Sequence, residues 1–382
     1  MVGTLVAAVA GSAACGPGPS SIGSGAPAAG ATDRPTDTSQ PDTSVVGTSA
    51  TPSDGTTTSP PASTSTHPAT STHPATSAHP TPSPHASTSA APAPRATGGT
   101  GVLAALPMRI FPASDAWNTP VDHAPVDPAS ATLIAALGGG HLHPDFGADL
   151  DGAPFGIPYV VVPGTQKKVP VTFDYAGESD RGPYPVPPGA PVEQGGDGHV
   201  LVVDRDHRLL YELYAAKRQP DGSWHAGSGA VFNLATGTLR PAGWTSADAA
   251  GLPILPGLVR WDEVARGRID HALRFTVSTS RKAYVAPARH AAGSTMSASA
   301  PPMGMRVRLK ASFDISGYPA QARVVLQAMK TYGMIVADNG SNWYVSGTAD
   351  PHWNDDQVNT LKNVPGSAFE VVTMGPVTVQ AD

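Results

Sequence analysis

The side chains best suited to acid–base chemistry are concentrated between Glu193 and Tyr214. Asp197 and His199 stand where the glycine-rich stretch Gly195-Gly-Asp-Gly-His199 enters an apolar run, and Tyr211 and Glu212 lie in the next run. If the two runs pair as strands with Leu201 opposite Leu210, His199 faces Glu212. A carboxylate beside an imidazole raises its pKa and orients the ring, which suits a general acid or base. A satisfied cross-strand pair explains the same residues without chemistry, and an odd-length turn would set Leu213 opposite His199 instead.

A second group follows the apolar segment LPILPGLV: Arg260, Trp261, Asp262 and Glu263, then His271 and Arg274. Pro253 and Pro256 interrupt that segment, so it reads as a packed irregular loop that either lines a pocket or plugs the body. A third group is Arg289 and His290, then Arg306, Arg308 and Lys310. The last three alternate and share a strand face. That face is either solvated or a basic groove for the carboxylates or sulfates of a sugar polymer. Asp338 and Asn339 read as turn residues first and site residues second. His143, Asp145, Asp149 and Asp151 fit no EF-hand spacing and read as a surface loop. No phosphate-binding loop, dinucleotide fingerprint, HExxH or GxSxG is present, and Ser228 between two glycines reads as a turn. Cys15 is the only cysteine, which excludes an intrachain disulfide and a cysteine-based metal site. No cofactor and no metal is expected.

The elements that must position these groups are mostly short strands. Gly156 to Val162 and Val169 to Tyr175 read as two strands around Pro163-Gly164-Thr165. Gly198 to Asp204 and Leu209 to Ala215 form another pair, and Pro220-Asp221-Gly222 turns a third hairpin. Gly229 to Leu234, His271 to Ser278, Met305 to Lys310 and Phe369 to Thr373 add further strands. Ser130 to Leu137 and Pro319 to Tyr332 read as helices, the second with proline at its start and Gly333 at its end. Met334 to Ala337 follows as a strand, Asp338-Asn339-Gly340 as a hairpin turn, and Trp343 to Ser346 as the return strand. Asp355 to Asn363 is a short helix. The pattern predicts a mainly β body, an antiparallel sandwich or jelly-roll-like fold with a few peripheral helices.

This body spans 103–382 and contains all six tryptophans. With 22 basic and 26 acidic residues it offers no nucleic-acid footprint. What precedes it differs. Met1 to Cys15 is apolar, far below the roughly 20 residues that span a bilayer, with small residues just before the cysteine. Residues 16–102 are rich in Pro, Ser, Thr and Ala and too poor in large apolar side chains to offset their ordering entropy. A six-residue repeat places His67, His73, His79 and His85 at even intervals, as a drifted spacer repeat or a metal-capturing tract. The first segment resembles the end of a bacterial lipoprotein signal, although Ser12 stands where Leu, Val or Ile is usual. That resemblance implies lipidation at Cys15, export, and a membrane tether through a lipid anchor with 16–102 as a stalk.

The stretches Gly195-Gly-Asp-Gly-His-Val-Leu-Val-Val-Asp204, Gly243-Trp-Thr-Ser-Ala-Asp248 through Arg260, Pro287-Ala-Arg-His290, Pro301-Pro-Met-Gly304 and Ala337-Asp-Asn-Gly340 together resemble a family of exported bacterial proteins frequent in actinobacteria. The resemblance covers Trp117 to Val372. It implies one extracytoplasmic module and brings no catalytic residues. The chemistry therefore rests on the side chains above. They fit a surface-tethered carbohydrate-active enzyme, either a glycoside hydrolase or a polysaccharide lyase, whose partner is a polysaccharide or cell-wall glycan. In a hydrolase Glu212 would work with Asp197, Asp262 or Glu263; in a lyase His199 or Tyr211 would be the base beside an arginine. The rival is a non-catalytic envelope protein that binds glycan or peptidoglycan.

Overall fold

The structure, a computed structural model, describes residues 110–194 and 197–381. Cys15, the segments 1–15 and 16–102 and the glycines Gly195 and Gly196 lie outside the described residues. In chain order the strands are β1 (His143–Asp145), β2 (Tyr159–Val162), β3 (Val171–Phe173), β4 (Val200–Asp204), β5 (Leu209–Tyr214), β6 (Lys217–Arg218), β7 (Trp224–Ala226), β8 (Ser228–Asn233), β9 (Leu273–Val277), β10 (Ala283–Tyr284), β11 (Arg306–Leu309), β12 (Met334–Asn339), β13 (Tyr344–Ser346), β14 (Phe369–Val371) and β15 (Thr378–Val379). The helices are α1 (Ser130–Ala136), α2 (Trp261–Ala265), α3 (Ala320–Thr331) and α4 (Asp355–Asn359). The body is mainly β with few helices, as the sequence predicts.

Of four sheets among the described residues, three frame the two cores, and β10 and β15 form a separate antiparallel pair. A six-stranded sheet runs β1-β13-β9-β12-β11-β14, a four-stranded sheet β2-β4-β5-β8, and a three-stranded sheet β3-β7-β6. The four-stranded sheet is the middle layer. Its Tyr159, Leu201, Val203, Leu210 and Phe232 join Leu273, Phe275 and Ile335 of the six-stranded sheet in the larger core. Val200, Val202, Tyr211 and Leu213, on the opposite face, join Trp224 and Ala226 of the three-stranded sheet in the smaller one. All five residues of β4 are buried, which is why this strand reads as a continuous apolar run and not an alternation. Each large side chain so buried contributes about 1.5–3 kcal/mol.

Strand pairing is mixed: β1/β13, β2/β4, β3/β7 and β9/β12 are parallel. The segments on either side of Pro163-Gly164-Thr165, expected to pair with each other, part into different sheets. The apolar YVVV of β2 needs cover on both faces and pairs with β4, whereas the half-exposed β3 pairs with β7. The Asp338-Asn339-Gly340 turn is also corrected. The chain stays extended through Asn339, and β9 lies between β12 and β13. Buried at every position except Thr276, β9 takes the interior slot, so β12 and β13 cannot meet as a hairpin.

Helix α3 feeds β12 through Gly333. The Gly333 N–H donates to the Ala328 carbonyl at 3.1 Å, and its φ of 70° is left-handed. A Cβ at Gly333 would stand 2.3 Å from the Val307 carbonyl oxygen, so only glycine ends the helix here.

Candidate functional site

The β4/β5 register pairs Leu201 with Glu212 and Val200 with Leu213, two residues away from the expected match. His199 therefore does not face Glu212. Its ring packs on Tyr214, with centroids 5.8 Å apart, and its carboxylate partner is Glu193, with Nδ1 2.5 Å from Oε2. The other ring nitrogen, Nε2, lies 3.2 Å from the Ala247 carbonyl oxygen. With an acceptor at each nitrogen, both nitrogens donate, and the ring is an imidazolium. Burial opposes that charge, but the hydrogen bond and charge of Glu193 outweigh it and the His199 pKa is raised. Burial likewise works against the Glu193 carboxylate, and His199 outweighs it, so its pKa is lowered. His199 thus holds the Ala247 loop and has no nitrogen free to act as a base.

Glu212 is fully buried and accepts the backbone N–H groups of Ile254, at 2.9 and 3.0 Å, and of Leu255, at 2.9 Å. It anchors the apolar LPILPGLV segment to the middle sheet. Burial drives its pKa up to about 7 against the pull of these two amides. Tyr211 points to the opposite face of β5, into the smaller core, where it meets Tyr184 edge-on and its hydroxyl accepts from Lys168 at 3.2 Å. The expected acid–base group is therefore dispersed by the register; only Asp197 of that group reaches a cavity.

That cavity, of about 470 Å³, is lined by Tyr175, Glu178, Asp197, Tyr214, His290 and Asp338 among others. Asp338 reaches it because β12 shifts register between Val336 and Asp338, and the Ala337 carbonyl turns aside to accept the Ala250 N–H at 2.9 Å. Such bulges re-aim side chains. The Asp338 carboxyl accepts the Asn339 N–H at 2.6 Å. Asp248 is wholly buried and is gripped twice by Arg274, Nε to Oδ2 at 2.9 Å and Nη2 to Oδ1 at 2.8 Å. Arg274 also donates to Ser346. Arg274 spends its guanidinium mainly on Asp248 and stands farther from Asp338, with Nη2 4.0 Å from Oδ2. Burial first, and the Asp248 charge second, lift the Asp338 pKa to about 7.

The opposite lining comes from loops. Glu178 accepts the Thr245 N–H at 3.0 Å, and its Oε2 lies 3.9 Å from His290 Nε2. His290 Nδ1 donates to the Ala249 carbonyl at 2.8 Å. Asp197 is exposed, and Tyr175 is 59% exposed beside the cavity. Tyr214 has its pKa raised by burial and then by the charges of Asp197 and Asp338. Asp145 is raised by burial, with Glu193 and Asp197 adding to it.

The second expected group is a separate buried ion-pair cluster. Glu263 bonds Arg260 Nη2 at 2.6 Å and His271 Nε2 at 2.8 Å. Burial resists its charge, but Arg260 and His271 win and hold its pKa down to about 2. Asp262 lies 3.6 Å from both Arg260 and Arg266. Trp261 stacks on His352 and meets Trp353 edge-on. These contacts fix α2 beside the segment 347–353, and none of the group lines the cavity. The basic-groove expectation is corrected too. Arg306 donates to the carbonyls of Ala116, Thr119 and Tyr332. Arg308 donates to Val121, Ala124 and, at 2.8 Å, to Glu370. Their donors clamp the 116–124 segment and face no groove.

Of the residues singled out in the sequence, the cavity thus gathers Asp197 and His290, and also Ser228, Asp338 and Asn339, which read as turn residues in the sequence. Tyr175, Glu178 and Asp248 were not anticipated. One signal for Asp338 was available: the apolar run MIVA continues directly into it, as a strand does. The chain matches no family model, no curated protein and no solved structure.

Proposed function

We propose that this protein is a glycoside hydrolase that cuts a polysaccharide in the cavity between Asp338 and Asp197, exported and tethered outside the cell by the segment ending at Cys15. One observation carries the reading. A carboxyl group whose pKa is lifted to about 7 lines the same cavity as an exposed carboxylate. Glycoside hydrolysis needs one carboxyl that keeps its proton near neutrality, to protonate the leaving oxygen, and a second carboxylate to attack the sugar or activate water. Asp338 takes the first role and Asp197 the second. Burial and the neighbouring Asp248 charge hold the Asp338 pKa up, Arg274 offsets them in part, and Arg274 fixes Asp248 in place. Tyr175 and Tyr214 offer faces for sugar rings. The lyase alternative requires an arginine at the substrate carboxylate; Arg274, Arg306 and Arg308 are each spent on protein partners, and no arginine lines the cavity.

The full chain should be incubated with bacterial, plant and fungal polysaccharides, following reducing ends and the ultraviolet absorbance of unsaturated uronates. Reducing ends without unsaturation are expected, lost by about 10²–10⁴-fold in Asp338→Asn, with the circular dichroism spectrum unchanged. Unsaturated products would replace the hydrolase with a lyase. Binding without cleavage would replace it with the glycan-binding protein.

A further inference from the structure

We infer that the sugar this cavity takes carries a free amine, and that Glu178 and Asp197 select it over acetylated, neutral and uronic sugars. The inference rests on the hydrolase reading and adds a substrate class to it. Three carboxyl groups line the cavity, Glu178, Asp197 and Asp338, against a single basic side chain, His290. His290 supplies little counter-charge, because its Nδ1 is engaged by the Ala249 carbonyl and its Nε2 already faces Glu178 at 3.9 Å. The nearest buried cations are balanced where they stand: Arg274 by the two bonds to Asp248, and His199 by Glu193. One imidazole, already facing Glu178, stands against three carboxyl groups, so even with the Asp338 proton in place the lining stays net acidic.

A cleft with walls of low polarity focuses such a field onto whatever enters. An ammonium group there gains charge-assisted hydrogen bonds and can stand over the tyrosine faces. Tyr214, Asp197 and Asp338 line the same cavity, so an amine held at that ring shares it with two carboxyl groups. A uronate or sulfated sugar would meet the same carboxylates with no arginine or lysine to receive it. An acetylated amine has no charge to be selected.

The test is calorimetric titration of the full chain with a glucosamine tetramer and with its N-acetylated counterpart, beside cleavage assays on both. The amine form should bind at least about 10-fold more tightly, a difference of about 1.4 kcal/mol, and the gap should shrink as salt is raised. Glu178→Gln keeps an oxygen for the Thr245 N–H and should narrow the gap at least about 3-fold, mostly by weakening the amine form. Asp197→Asn should do the same. Equal or weaker binding of the amine form, or a gap untouched by both substitutions, overturns the inference. Cleavage of neutral glycans without preference for the amine would sink the substrate class and leave the hydrolase standing. Selective amine binding with no cleavage of any glycan would keep the class and sink the hydrolase.

Discussion

Replacing Asp338 with asparagine should abolish turnover and, at alkaline pH, strengthen the fold. The carboxyl titrates near 3.8 when unperturbed and at about 7 in the folded protein. A group that binds its proton more tightly when folded favours the folded state at low pH. That stability is fully present below 3.8, falls as pH rises, and is gone above about 7. At 1.36 kcal/mol for each tenfold change, the span amounts to about 4 kcal/mol. The side chain is 23% exposed, so water relieves part of the cost, and about 2–4 kcal/mol is the expected loss for the natural protein. Asparagine carries no charge, keeps an oxygen for the Asn339 N–H, and can donate its amide to Asp248. Urea unfolding of both proteins at about pH 5 and about pH 8.5 measures the difference. Between the two conditions only the two pH units from 5 to about 7 count, so the variant should gain about 1.5–2.7 kcal/mol relative to the natural protein, while the natural protein's turnover falls above pH 7 as the acid is lost. Parallel stability curves would refute the buried-proton argument; an active variant would refute the catalytic role.

Glu212→Ala should cost several kcal/mol, since it strands two buried N–H groups at about 1–3 kcal/mol each; Glu212→Gln should fold, retaining one acceptor oxygen, and comparison of their urea midpoints checks this. Glu263 is held from 4.5 down to about 2, so its contribution is present above pH 4.5 and lost as pH falls through 2. Acid titration of stability should therefore show about 3 kcal/mol lost over that window and the loss absent in Glu263→Gln, which at neutral pH should cost about 3–5 kcal/mol by leaving Arg260 buried without its partner. Gly333→Ala should lower stability by at least about 1–2 kcal/mol from left-handed strain alone, more because its Cβ meets the Val307 carbonyl, with the helix content of the folded protein little changed by circular dichroism.

Much of the secondary structure was legible in the residues. The apolar run before Arg205-Asp206-His207 and the one after it do form the β4/β5 hairpin. Pro220-Asp221-Gly222 does turn β6 into β7. Pro319 and Gly333 do bracket α3. These features depend on local spacing and turn chemistry, which a sequence carries openly. The candidate site was legible only in fragments. His199 was found but given the wrong partner, because the β4/β5 loop leaves four residues unpaired where a tighter loop was expected, and that difference moves the pairing by two positions. Glu212 is as buried and polar as a catalytic acid, yet it serves backbone amides 42 residues away. Nothing in the sequence near Glu212 announces those amides.

The sequence by itself determined that this is a strand-rich body behind a Pro/Ser/Thr/Ala-rich segment, with its helix ends and tight turns marked by proline, glycine and aspartate. Only the tertiary structure decided which strands meet. The insertion of β9 between β12 and β13 turned Asp338 from a loop residue into a strand residue. The bulge at Ala337 aimed it into the cavity, where burial and the Asp248 charge raise its pKa. Local preferences act through nearest neighbours and survive in isolation. The raised pKa of Asp338, set by burial and by the charge of Asp248 90 positions away, exists only once long-range packing has removed water and brought the two near each other.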